Sequence, residues 1–167
     1  IMDIGAAGLI YPNIIAKAFP HKKIIAQDLA YPPVAKHIGN NIIQLGGSAA
    51  SLPLPDESVD FITFHCSFEH FERNADIDCL KEVERIIRPG GSIIIIPLHT
   101  SSRHTVLINP ITGPFIDDDF MEQVMEPELN EKEACWRATT GFVSRFARLY
   151  SAKTFQSRLL TKVNRLK

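Results

Sequence analysis

Residues 80–96, Leu80-Lys81-Glu82-Val83-Glu84-Arg85-Ile86-Ile87-Arg88-Pro89-Gly90-Gly91-Ser92-Ile93-Ile94-Ile95-Ile96, decide the fold class. The first part has the helical period. Leu80, Val83 and Ile87 fall on one face of a helix expected over Asp76 to Ile87, with charged residues on the other. Arg88-Pro89-Gly90-Gly91 ends it, because proline cannot continue a helix and glycine supplies the turn. Ser92 to Pro97 then carries isoleucines without polar alternation, the pattern of a strand buried on both faces. A helix feeding directly into such a strand is half of the unit from which parallel α/β sheets are built.

Toward the N-terminus the same alternation repeats. Val59 to His65 is strand-like and follows the proline-punctuated loop Ser51 to Ser58. Asn41 to Leu45 is closed by Gly46-Gly47, Lys23 to Gln27 ends in Asp28, and Ile1 to Ile4 is closed by Gly5. Leu9 to Phe19 places Ile10, Ile14, Ile15 and Ala18 at helical spacing and stops before Pro20. Pro33 to Ile38 is expected as a short helix, with proline in its first turn and Gly39 as its stop. Apolar strands separated by helices predict a doubly wound, mostly parallel sheet.

Beyond Leu98 the rhythm breaks. Thr100 to Phe115 reads as a loop, and Asp117-Asp118-Asp119 as the acidic entry to a helix over Phe120 to Met125. Leu129 to Tyr150 is helical in pattern, and Ser151 caps a last helix reaching Val163. The expected organisation is one domain over residues 1–167: a core over 1–98, a helical insertion and lid over 99–150 that covers the substrate, and a terminal helix over 151–167. Trp136, Phe142 and Phe146 are candidate pocket walls, with packing within that lid the favoured role. Ile1 to Ile4 leaves no room for a strand's beginning, and Asn164 to Lys167 reads as a turn entering further chain, so both ends are expected to be cut.

Eighteen Lys and Arg against nineteen Asp and Glu give a formal net charge of −1, which excludes a sequence-independent cationic grip on nucleic acid. A hydrophobic fraction of 45% with 22% charged residues excludes disorder. No apolar run is long enough to cross a bilayer. Cys66, Cys79 and Cys135 form no CxxC pair, so neither a disulfide framework nor a metal site is expected and a reducing, cytoplasmic setting is. A homodimer stays open.

Ligands of open parallel sheets bind beyond the carboxyl ends of the strands, so the candidate residues are those that follow each strand. Gly5-Ala6-Ala7-Gly8 lets a ligand approach the backbone, or is a plain tight turn. Asp28 has the position of a ribose-binding carboxylate or of a solvated one. Gly47-Ser48-Ala49 lines a nucleobase pocket or simply turns the chain. His65-Cys66-Ser67-Phe68-Glu69-His70-Phe71 is the densest polar and aromatic stretch. A histidine there suits a general base, against strand-end packing for His65 and helix positioning for Glu69 or His70. Cys66 has no activating cation in sight and reads as a buried structural thiol.

In order, Asp3-Ile4-Gly5-Ala6-Ala7, Asp28, Ser51 to Asp60, Glu69-His70 and Leu80 to Gly91 resemble the class I S-adenosylmethionine-dependent methyltransferases of the small-molecule branch. The resemblance covers residues 1–98 and implies a Rossmann-like methyltransferase fold. It further implies S-adenosyl-L-methionine as cofactor and methyl transfer to a small-molecule or sugar- or lipid-linked acceptor. It places Gly5, Ala6 and Ala7 along the methionine moiety, Asp28 on the ribose and Ser48 at the adenine amine. Asp3, Leu29, Ala49, His65 and Cys66 complete the implied cofactor set, and His70 is the implied catalytic residue. The chain departs from the family pattern at Ala7 and Leu9, where further glycines are usual, and at Ser48, where aspartate is usual. Those departures favour the alternative of a non-catalytic partner module on the same fold. A nicotinamide-dependent dehydrogenase is disfavoured because GxGxxG is absent.

Overall fold

The computed structural model describes residues 1–39, 41–109, 134–138 (backbone only) and 145–166, which divide into two compact units. One comprises Ile1–Phe68 with Asp78–Pro97, the other Glu69–Ile77 with Leu98–Lys167.

In the first unit, Met2–Ile4 (β1) is entirely buried and sits at the centre of a six-stranded sheet. The other strands are Ile24–Asp28 (β2), Lys36–Ile38 (β3), Ile42–Gly46 (β4), Val59–His65 (β5) and Ile87–Ile96 (β6). Their order is β3-β4-β2-β1-β5-β6, every pair parallel except β3 with β4. The chain builds outward from β1 on one side and then returns to β1's other edge with β5. The switch point therefore lies between β1 and β5. Helix α1, Ile10–Ala18, buries Ile15 and Ala16 against Ala6, Ile24, Ala26 and Ile42.

Helix α2, Ala75–Ile86, buries Leu80 and Val83 as expected, together with Cys79 and Ile86, whereas Ile87, expected on the same helix face, already belongs to β6. The helix's partly exposed face fastens the proline-punctuated loop. Glu82 Oε1 accepts from the Leu52 amide at 2.7 Å, and Arg85 donates to Glu82 through both Nε (2.9 Å) and Nη2 (2.6 Å). Arg85 also donates to the Leu52 and Leu54 carbonyls and to Asp56. A loop whose prolines lack amide donors cannot close itself, so side chains from the helix complete it.

Four expectations change. Lys36 to Ile38 forms strand β3 rather than the end of a helix: Gly39, at φ +65°, turns the chain so that Ile38 pairs with Ile42. Arg88 to Gly91 lies inside β6 as an irregularity, since Val59 pairs with Ile87 and Phe61 already pairs with Ser92. A Cβ on Gly91 would stand 2.8 Å from the Asp60 carbonyl, which is why glycine occupies the bulge. β6 is the sheet's edge among the described strands, and Ile94 and Ile96 are 40% and 42% exposed instead of buried on both faces. Beyond residue 98, strands replace the expected loop and long helix. His104–Ile108 (β7), Ala134–Ala138 (β8) and Phe146–Leu149 (β9) form a sheet of order β8-β7-β9. Val106, Ile108, Phe146 and Ala147 are buried, and β-branched and aromatic residues of this kind favour strands. The helix expected over Phe120 to Met125 and the Phe142 side chain lie outside the described residues, as does the Trp136 side chain. Ser151 caps the final helical segment as expected, accepting from the Thr154 amide. That segment runs through Ala152–Thr154 (α3) into a π-turn over Phe155–Leu160. No helix among the described residues is long and apolar enough to cross a membrane.

The second unit is organised around Asp76. Its carboxylate accepts from Arg148 Nη1 (2.6 Å), Tyr150 Oη (2.7 Å), and Arg158 Nε and Nη2 (both 2.8 Å), all fully or almost fully buried. Burial alone would raise its pKa; the two guanidinium groups and the tyrosine outweigh it and hold the carboxyl below its usual range. Removing the acid leaves two buried cations without their partner, which typically costs about 3–5 kcal/mol. Asp76→Asn is expected to lower unfolding stability by about that amount, as read by chemical denaturation. Since the folded pKa is depressed, the contribution is present at neutral pH and disappears as pH falls through the carboxylate range.

Candidate cofactor site at the carboxyl edge of the first unit

Beyond the carboxyl ends of β1, β2, β4 and β5, the first unit gathers most of the residues singled out in the sequence. The turn after β1 needs glycine at its first position. Gly5 has φ +75°, and a Cβ there would collide with the Ser67 side chain, which packs across it and donates to the Ile4 carbonyl at 2.6 Å. Ala7 (φ +39°) and Leu9 (φ +61°) adopt the same left-handed region, which costs an L-residue roughly 1–2 kcal/mol each. These are the two positions where the resemblance implies glycine. Left-handed backbone of the kind glycine adopts freely stands at both positions although neither residue is glycine.

Asp28 makes that geometry hold. Its Oδ2 accepts from the Ala7 amide and its Oδ1 from the Ala30 amide, both at 2.9 Å. Tyr31 donates its hydroxyl to the Ala7 carbonyl, so residues 28–31 grip both the amide and the carbonyl of one strained residue. Each carboxylate oxygen has two lone-pair directions, and one amide on each leaves capacity for a further donor. Ser48 is exposed and accepts from the Ala50 amide at 3.2 Å, while Ala49 is buried beneath it. Leu29 is 77% exposed, an apolar side chain left beside a carboxylate. A small-residue turn, a partly satisfied carboxylate and an exposed apolar neighbour fit a nucleoside with a polar tail.

Asp3 does not reach this edge. It is 1% exposed, its Oδ1 accepts from Thr63 Oγ1 at 2.8 Å, and burial pushes its pKa up to about 6 against the opposing pull of Thr63 and His65. His65 is exposed at the end of β5, its ring stacked on Tyr11 with centroids 4.2 Å apart and planes at 15°. Cys66 is exposed with φ +53°, not the buried thiol expected from the sequence. His70 belongs to the second unit, where its Nδ1 is 2.7 Å from the Phe146 carbonyl and its Nε2 is 3.7 Å from Glu69. Tyr11 and Tyr31 were not anticipated as site residues. Their only signal is position, one in the first turn of α1 and the other three residues past Asp28.

A family model described as a methyltransferase domain matches residues 2–95. The chain belongs to this family. It is 36% identical over 99 residues to an uncharacterised methyltransferase of Schizosaccharomyces pombe, covering 58% of this chain and 38% of that protein. It is 32% identical over 103 residues to the malonyl-acyl-carrier-protein O-methyltransferase of Methylococcus capsulatus, covering 56% of this chain and 35% of that protein. The chain thus spans a little over a third of the length of these curated relatives. Among solved structures, the 1,6-didemethyltoxoflavin-N1-methyltransferase of Burkholderia thailandensis, with bound 1,6-didemethyltoxoflavin and S-adenosylhomocysteine, resembles it at a TM-score of 0.53 and 14% identity. That likeness covers 96% of this chain and 58% of that one, and it shows the fold.

Two substitutions probe the methyltransferase domain. Gly5→Ala combines left-handed strain with the Ser67 collision, and a loss of about 2–5 kcal/mol in unfolding free energy is expected. Asp3→Asn tests the buried carboxyl. A raised folded pKa means the native state holds a proton between about pH 4 and the folded value near 6, so stability falls as pH rises through that window. The variant is expected to lack that fall, which amounts to at most about 3 kcal/mol, when denaturation at about pH 4.5 and about pH 7.5 is compared.

Proposed function

We propose that this methyltransferase domain binds S-adenosylmethionine at the carboxyl edge of its first unit and takes part in methyl transfer to a small-molecule or sugar- or lipid-linked acceptor. The observation that carries the reading is the Asp28 carboxylate, anchored by one amide per oxygen and retaining acceptor capacity beside a left-handed, small-residue turn. Asp28 supplies acceptors for the ribose hydroxyls, Gly5 to Ala7 run along the methionine moiety, and Leu29, Ser48 and Ala49 take the base. The sulfonium is an activated methyl donor, so the protein's task is alignment and exclusion of water.

Calorimetry with S-adenosylhomocysteine tests this. Binding by the parent, weakened by about 1.5–3 kcal/mol in Asp28→Asn, is the expected result. Stability should fall by only about 1 kcal/mol, because asparagine keeps one of the two acceptors that hold Ala7 and Ala30. Ser48→Asp is expected to tighten binding by about 1 kcal/mol, since a carboxylate is a stronger acceptor for an exocyclic amine. It also keeps the turn bond to the Ala50 amide.

One observation favours a second reading, a partner module that keeps the fold without the activity. Tyr31 and Asp28 close on Ala7 from both sides, a self-sufficient arrangement of the turn. Absence of any heat or thermal shift at millimolar cofactor product would establish it over the first.

A further inference from the structure

We propose that His65 is the general base of the transfer reaction and that it serves an acceptor whose nucleophile is an acidic hydroxyl, a phenol or an enol. This rests on the methyltransferase reading above and names the substrate class for the same site.

Place comes first. The order in which strands are added reverses between β1 and β5, and open α/β sheets take their ligands in the crevice at that reversal. Gly5 to Ala7 leave β1 there and His65 ends β5 there. Asp3 pairs with Thr63, so the two segments emerge side by side within one unit.

The second observation is what His65 does not do. Its ring is exposed and held flat against Tyr11, yet neither ring nitrogen has a hydrogen-bond partner among the described residues. The same holds for the Tyr11 hydroxyl, whose pKa burial and Asp3 push up, so that it stays protonated. A histidine kept for architecture normally spends at least one nitrogen on a carbonyl or carboxylate, as His70 does. Stacking orients the His65 ring while leaving both in-plane nitrogens for a ligand.

Charge supplies the third. Asp3 lies beneath, accepting from Thr63 Oγ1 and from the His65 backbone amide, and the charges of Asp3 and His65 favour one another. Among the described residues, Asp3 from β1 and Tyr11 from α1 face His65. Its neighbour in β6 is Ile96.

The hydroxyl class follows from matching proton affinities. Imidazole, near 6.5, lies within about four units of a phenol near 10, close enough for useful general-base catalysis. Aliphatic alcohols lie far above this range, and a neutral amine attacks with its own lone pair. In the step, the acceptor O–H bond breaks and its proton goes to an imidazole nitrogen. The oxygen electron pair forms the bond to the methyl carbon, whose bond to sulfur breaks with its electron pair going to sulfur. The sulfonium becomes a neutral thioether, and the imidazolium returns its proton to water.

The test uses the full chain, His65→Gln, catechol and 4-nitrophenol. Calorimetry with S-adenosylhomocysteine should give the variant an affinity within about threefold of the parent, as a base that does not hold the cofactor requires; a larger loss would return His65 to the cofactor set that the resemblance implies and overturn the proposal. With catechol, kcat should fall by about a hundredfold or more and lose its rising limb with pH. With 4-nitrophenol, already ionised at about pH 8, parent and variant should turn over at comparable rates, because no proton remains to be removed. Equal catechol rates, loss of both substrates together, or a parent that binds S-adenosylhomocysteine yet methylates neither hydroxyl would overturn the proposal. A parent that does not bind S-adenosylhomocysteine overturns the methyltransferase reading itself.

Discussion

Three buried residues, Met2 to Ile4, hold the first unit's architecture together. β1 is hydrogen-bonded to β2 on one edge and β5 on the other, so all chain travel outward and back is referred to it. A strand this short cannot turn gradually at its end. The reversal falls on Gly5, where Ser67 leaves no room for a side chain. The crowding that forbids a Cβ at Gly5 also brings the ends of β1 and β5 into the same crevice. Strand order, tight turn and candidate site are three consequences of one constraint.

Strain on that turn is borne by polar contacts from neighbouring strands. Ala7 and Leu9 would adopt left-handed conformations rarely if left to themselves, and Asp28 and Tyr31 hold Ala7 by its amide and carbonyl. Such strain gathers at functional sites because the surrounding structure over-determines it. Asp76 does comparable work in the second unit by a different route. A single carboxylate pairs with two buried guanidinium groups and accepts from a tyrosine, which ties the start of α2 to β9 and to the terminal helical segment. One device is local and geometric; the other is electrostatic and spans most of that unit's described chain.

The two histidines singled out by sequence separate on the same grounds. His65 and His70 are five residues apart in one dense polar stretch, where the resemblance implies a place in the cofactor set for the first and the catalytic role for the second. Folding sends one to the carboxyl edge with its nitrogens unspent and the other to a carbonyl in the second unit. Chemical type is a property of the residue; availability is a property of the packing around it.

Sequence by itself determined the parallel α/β core, because uninterrupted Ile and Val runs separated by helical periods admit few other arrangements. It also determined the family, through the ordered spacing of Gly5, Asp28, the loop at 51–58 and the segment at 80–91. It misread segments whose local pattern is outvoted by pairing: Lys36 to Ile38 became a strand once a turn at Gly39 offered it an edge, and Phe146 to Leu149 became one beside β7. The tertiary structure alone decided that Tyr11 stacks on His65, that Tyr31 closes on Ala7 and that Asp3 is buried with a raised pKa. Each of those contacts joins residues 20 or more positions apart, a separation at which periodicity carries no information and only the register of neighbouring strands does.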